Sequence, residues 1–358
     1  ASDKDSLKEA SQESETDGEA SKARAIAAFV TSAAFHSVMS LCVKLASGTF
    51  PTAQILWARY TVQMLVTSLM LWKKRPNLNL PRGLKILLLL RGLLGMSSQG
   101  CHMLSLKMLP LPDAVSLHTV YPVFTALLAP FTLGEPLSAA AVCAALCATV
   151  GCSFIAQGRL SRAPPKGQQV RLGMGIALLG ALNASLTYLL VRKLMRKSER
   201  AIDPEVVVWS YSLTALCVLI LALPLTASSF VWDASASAWL ALISVGATSV
   251  IEQLLVTLGF RGLSATAGTL MLTLEAAFAF VFSALILKET PRLQTLLGAA
   301  LVAAAVTVST LRKPGCHPRY AAVKSDVEKS PAIQSESLEL ENCDERNTGP
   351  PCVKNGDH

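Results

Sequence analysis

Charge is scarce in this chain. Asp, Glu, Lys and Arg make up 16% of its 358 residues and 52% are hydrophobic, where a soluble protein carries roughly 25% charge. That shortage excludes a surface solvated all round. The motifs of covalent catalysis are missing too. There is no Gly-x-Ser-x-Gly elbow, no Gly-x-x-x-x-Gly-Lys phosphate loop and no His/Glu metal motif on one helix face. An enzyme is therefore not expected, nor ATP-driven pumping, and no cofactor is implied. The nine cysteines lack metal-site spacing with histidines. Cys42, Cys101, Cys143, Cys147, Cys152 and Cys217 fall within apolar stretches, where a thiol acts as a small hydrophobe.

Apolar sequence is what the chain has in quantity, with a mean hydropathy of +0.46. A bilayer core about 30 Å thick takes about 20 apolar residues per helix. Ten segments meet or approach that length: 25–45, 52–72, 84–106, 113–133, 138–156, 172–195, 206–226, 238–260, 265–287 and 293–311. An all-α integral membrane protein follows, with the lipid bilayer as its solvent. The formal charge of +8 does not point to nucleic acid, because the cations gather in short loops. Lys73, Lys74, Arg75, Arg82 and Lys85 follow the second segment; Arg192, Lys193, Arg196, Lys197 and Arg200 follow the sixth. Basic loops stay cytosolic, which puts both termini in the cytosol, in a plasma, endoplasmic reticulum or Golgi membrane. Arg159, Arg162, Lys166 and Arg171 would then face the other side, against that orientation. Residues 1–24 and 312–358 are too polar to bury a core and are expected to be disordered, as tethers or as contacts for a protein partner. A homodimer stays open.

Glu135 and Glu289 each close an apolar stretch and lie 154 residues apart, from position 135 to position 289. At the same offset Gly92 falls on Gly246, Gln99 on Gln253, Lys107 on Arg261, Thr119 on Thr273 and Phe124 on Phe278. One membrane unit is written twice, a mark of secondary transporters. The first copy is read as residues 25–157 and the second as 172–311, joined by a linker over 158–171. Five spans per copy is an odd number, so the second must cross in the opposite sense. Such inverted repeats form a site near the bilayer midplane. Pro122 is expected to interrupt the fourth segment as a hinge beside that site. Its counterpart is Ala276, so an asymmetric site is expected.

The run Arg91-Gly92-Leu93-Leu94-Gly95, then Leu111-Pro112-Asp113-Ala114, Tyr121-Pro122-Val123-Phe124 and Gly134-Glu135, resembles the EamA domain of the drug/metabolite transporter superfamily. Trp57-Ala58-Arg59-Tyr60, Gln63-Met64-Leu65 and the acidic residue in Leu274-Glu275-Ala276-Ala277-Phe278 resemble the G-type members of solute carrier family 35. The resemblance spans residues 25 to 311. It implies a ten-helix, two-repeat carrier with both termini cytosolic. The substrate stays open, since the wider family carries nucleotide sugars, phosphorylated metabolites, amines and organic anions.

Ionisable groups inside membrane helices cost about 2.5–3.5 kcal/mol each, so each needs a partner or a purpose. Arg59 and Arg91 lie about 10 Å into their segments at 1.5 Å per residue; Glu252 and Glu275 lie deeper. The sharp expectation is that Arg59 and Arg91 grip a small anionic solute, a carboxylate or phosphate, through paired bonds. Glu252 or Glu275 would then couple transport to a gradient by carrying a proton. The plain alternative is that the two glutamates neutralise the two arginines. Gln99 and Gln253, equivalent in the two copies, are candidates for an inward-facing role. Tyr121 and Glu275 are equivalent too, so one polar group from each copy could face one cavity. His118, one turn before Tyr121, is a further candidate; His36 and His102 are expected to be hydrogen-bonded packing elements. A gradient-driven organic-anion carrier working by alternating access is the leading function. A non-transporting protein that regulates a membrane partner and a nucleotide-sugar transporter are the alternatives.

Overall fold

The computed structural model describes residues 2–76, 80–109, 117–135, 139–157, 168–196, 202–226, 230–275, 277–278, 281–282 and 293–311. Ala276, Glu289, Arg159, Arg162, Lys166, Lys197, Arg200 and the expected tail 312–358 lie outside them. The helices that build the bundle are α1 (Ser2–Ala46), α2 (Thr52–Lys74), α3 (Arg82–Met108), α4 (Tyr121–Leu133), α5 (Ala139–Gln157), α6 (Gln168–Met195), α7 (Pro204–Thr226), α8 (Ala236–Gly262), α9 (Ala265–Leu272) and α10 (Leu293–Leu311). By length and composition, Glu19–Val43, Arg171–Met195, Pro204–Ala222 and Ala236–Gly262 can each cross a membrane. Leu65, Trp72, Phe131 and Leu221 are exposed, which suits contact with acyl chains.

The most extensive helix pairings run across the two repeats. α1 lies on α8 as α6 lies on α3; α2 lies on α8 as α7 lies on α3. The equivalent helices α2 and α7 touch, as do α5 and α10. The first and third helices of one copy are thus covered by the third and first of the other. Gly92 and Gly246, equivalent positions, explain how close the approach is. A Cβ on Gly92 would stand 2.6 Å from the Thr214 side chain on α7, and one on Gly246 would stand 2.4 Å from Val62 Cβ on α2. Small residues in membrane helices serve this close packing.

Two expectations change here. Residues 1–24, expected to be disordered, continue α1 from Ser2. The segment is rich in Ala, Glu and Lys and lacks proline, a composition with good helix propensity. Its end also packs on α8, where a Cβ on Gly262 would meet Ser21 O and Ala25 Cβ. Pro122 does not interrupt a helix: α4 begins at Tyr121, with Pro122 in its first turn, where the missing N–H leaves no bond unmade. The break lies just before it, as a turn at Thr119 and Val120 after a helical Leu117 and His118. In the second copy α9 ends in a turn at Thr273, the equivalent of Thr119. A turn is present at this level in both copies; in the first it just precedes Pro122, whose ring and missing N–H bar a continuous helix, and the second has Thr273 at the same place.

Candidate substrate-binding site

A cavity of about 120 Å³ lies where the breaks, α3 and α6 converge, well above the roughly 10–15 Å³ that one water needs. Arg91, Gln99, His118, Tyr121, Gln253 and Glu275 line it, among others. Tyr121 and Glu275, equivalent in the repeat, therefore face one space. Arg59, Glu252 and Pro122 do not line it.

The two arginines have different surroundings. Arg59 is tied into the packing: its Nε donates to Ser249 Oγ at 2.9 Å, and Ser249 Oγ donates to Gln63 Oε1 at 3.0 Å. Its Nη2 stands 3.8 Å from Glu252 Oε2, with both side chains about 5–6% exposed. Arg91 forms no ion pair with a carboxylate among the described residues. Its Nη2 donates to Gln253 Oε1 at 2.8 Å, and its guanidinium lies 4.3 Å from the centre of the Tyr211 ring. Nε and Nη1 of Arg91 are buried without a hydrogen-bond partner. Gln253 turns its Nε2 to both oxygens of Glu252 at 3.2 Å, which links the two arginines through one carboxylate. The neutralising alternative thus describes Arg59 with Glu252, but not Arg91 with Glu275.

Glu275 meets His36 instead, at 3.5 Å from Nε2, while His36 Nδ1 is 3.7 Å from Glu252. Ser37 Oγ, on the next residue of α1, donates to the Glu275 carbonyl at 2.7 Å, fixing the backbone beyond the Thr273 turn. His118 Nε2 lies 3.3 Å from Ser98 Oγ, and its ring is 4.4 Å from that of His102. The wall is aromatic: Tyr121 packs on Tyr188 at 5.5 Å, and the Tyr60 and Tyr211 hydroxyls share a hydrogen bond of 2.8 Å.

Tyr60, Tyr188 and Tyr211 had no expected role, and His36 and His102 were expected only to pack. A signal was present. The chain has only five tyrosines, and four of them fall in transmembrane helices at this level. Rare polar aromatics that recur within apolar spans mark a place where a ring body is buried and its hydroxyl needs a partner.

The end of the bundle that bears the basic loops is tied across the repeats. Gly134 takes a left-handed turn at φ 66° after α4, a conformation open to glycine at little cost. It delivers Glu135 to the other copy. Glu135 Oε2 accepts from the first N–H of α9, on Ala265, at 2.9 Å, and Arg192 Nε donates to Glu135 at 3.2 Å. Arg192 also reaches the Phe260 carbonyl at 2.6 Å, and Arg196 the Leu133 carbonyl at 2.7 Å. Lys74 bridges to Asp203 at 2.7 Å and Glu205 at 3.3 Å. Glu135 thus both caps α9 and pairs with Arg192 on α6.

Two inverted five-helix repeats around a polar cavity in an apolar bundle define a multi-pass membrane transporter. The model of the EamA-like transporter family matches residues 23–157 and 171–311, and the chain belongs to that family. The pseudopaline exporter CntI of Pseudomonas aeruginosa is 27% identical over 279 residues, 78% of this chain and 93% of that protein. Mouse solute carrier family 35 member G1 is 26% identical over 292 residues, 79% of this chain and 77% of that protein. A probable transport protein of Saccharomyces cerevisiae is 26% identical over 269 residues, 70% of this chain and 75% of its own length. A solved crystal structure superposes with a TM-score of 0.68 at 20% identity, covering 80% of this chain and 98% of its own, and shows the same fold. These named relatives are transporters rather than enzymes.

Proposed function

We propose that this transporter carries a small organic anion, a carboxylate or phosphorylated metabolite, down or against a gradient by alternating access. The observation that carries the reading is Arg91. A buried guanidinium whose Nε and Nη1 have no protein partner, on a residue that lines a cavity, supports charge-assisted hydrogen bonding to a carboxylate or phosphate. Gln253, Gln99, His118 and Tyr121 add neutral hydrogen-bonding groups around it. Arg59 has the weaker case, because it lies outside the cavity and already faces Glu252. Of the two coupling candidates, Glu275 is favoured over Glu252 for the same reason. Pro122 serves as the first turn of α4 beside the hinge at Thr119.

The cross-repeat ties at the basic end support a conformation closed on that side, with the cytosol the side that the basic loops favour. The size of the cavity supports a small solute over a nucleotide sugar, and the named relatives support transport over partner regulation. Counterflow in liposomes with labelled carboxylates, phosphates and nucleotide sugars tests the reading. Saturable exchange of an anion that is lost in folded Arg91→Gln and retained in part by Arg91→Lys is the expected result. Exchange that survives Arg91→Gln undiminished, or exchange confined to nucleotide sugars, refutes it.

A further inference from the structure

His36, on α1, stands between the two carboxylates of the core. Its Nδ1 is 3.7 Å from Glu252 Oε1 and its Nε2 is 3.5 Å from Glu275 Oε2. A neutral imidazole has one N–H and one bare nitrogen, so one carboxylate would face a lone pair. Only the imidazolium offers a donor on both sides. The site is open to the cavity: the His36 and Glu275 side chains are 28% and 25% exposed, and both line it.

The charges around the ring make the proton conditional. Facing it are Glu252 on α8, Glu275 beyond α9, Arg59 on α2, Arg91 and His102 on α3, and His118 and Tyr121 around the start of α4. With every histidine neutral, Arg59 and Arg91 balance Glu252 and Glu275. A proton alone leaves the cluster one charge positive; a monoanion alone leaves it one charge negative. Either is an uncompensated charge in a medium that solvates it poorly. Together they restore neutrality.

We infer that the His36–Glu275 pair is a proton-binding site linked to the anion site at Arg91, so that proton and anion bind and cross together. The proton comes from solution and returns to it, shared by the pair rather than owned by one group. This rests on the anion reading above. Linkage is reciprocal, so the proton strengthens anion binding as much as the anion strengthens proton uptake.

The test uses full-length protein in nanodiscs, with lactate and methanesulfonate as probes; both stay monoanions throughout. Between about pH 5.5 and 7.5, the range in which a histidine ordinarily titrates, affinity for the bound probe should rise about tenfold per unit of pH decrease. His36→Gln should bind with no such slope, and Arg91→Gln should bind at least about a hundredfold more weakly at every pH. In parallel, nitrogen NMR of histidine-labelled protein should show one ring, identified by its loss in His36→Asn, gaining a second proton over that range. Its midpoint should move in Glu275→Gln. A wild-type affinity that ignores pH overturns the linkage and leaves the anion reading standing. A His36 ring neutral throughout overturns the proton site whatever the substrate is. Failure of both probes to bind removes the anion reading and the linkage with it.

Discussion

Replacing each arginine by glutamine should give two opposite phenotypes. Arg91→Gln removes, from a residue that lines the cavity, a guanidinium whose Nε and Nη1 have no protein partner. A hydrogen bond to a charged group contributes about 1.5–3 kcal/mol, so two lost together come to about 3–6 kcal/mol. That corresponds to roughly 10²- to 10⁴-fold weaker anion binding. Stability should fall less than that, since the bond to Gln253 and the Tyr211 stack contribute about 1 kcal/mol each and a proton on the His36–Glu275 pair can replace the lost positive charge. Arg59→Gln strands the Glu252 carboxylate instead. Removing one partner of a buried pair costs about 3–5 kcal/mol, and a separation of 3.8 Å argues for the lower end, about 3 kcal/mol. Removing Glu252 as well should recover most of it, so Arg59→Gln with Glu252→Gln should unfold within about 1 kcal/mol of wild type. The assays are thermal unfolding in detergent, followed by tryptophan fluorescence, and anion counterflow on the variants that fold. If Arg59→Gln is as stable as wild type, or the double variant is no better than the single, the pairing argument is wrong. If the two single variants lose transport equally at equal stability, the division of labour between the arginines is wrong.

Gly246→Ala and Gly92→Ala should each destabilise by about 1–3 kcal/mol through overpacking, because the added carbons meet Val62 at 2.4 Å and Thr214 at 2.6 Å; unchanged melting of both would show that the repeats are not packed this tightly. Tyr60→Phe should cost about 1 kcal/mol by leaving the buried Tyr211 hydroxyl without its partner, and adding Tyr211→Phe should cost little more, as a double-mutant cycle by thermal unfolding would read. Glu135→Ala should loosen the basic end by removing the cap on Ala265 and the bridge to Arg192, costing about 0.5–2 kcal/mol. Labelling a cysteine placed at Leu133 or Phe260 should then become faster, and an unchanged rate counts against a clasp.

Some of this was written along the chain. Hydropathy is a local property, so the apolar segments could be placed residue by residue. The offset that joins Gly92 to Gly246 and Gln99 to Gln253 is a one-dimensional pattern, and with an odd number of spans it dictates inversion. The ionisable residues stood out because lipid makes each of them costly. The partner of each was not legible. Arg59 and Glu252 are 193 positions apart and meet because α2 of one copy lies on α8 of the other; no spacing rule encodes that choice. Nor did the sequence show that His36 would sit between two carboxylates, since a lone histidine in an apolar span looks the same whether it packs or bridges. The proline at 122 marked the right level, but only the structure showed a turn at Thr273 in the second copy, at the place equivalent to Thr119.

The sequence by itself determined that the chain lives in a bilayer, that it is a unit repeated in opposite senses, and which few polar groups must find partners there. Only the tertiary structure decided that Arg59 is spent on Glu252 while Arg91 keeps two donors free at a cavity. The physical reason is that burial cost belongs to each residue alone and can be read in one dimension. The compensation of that cost belongs to pairs, and pairs exist only once helices from both repeats have packed.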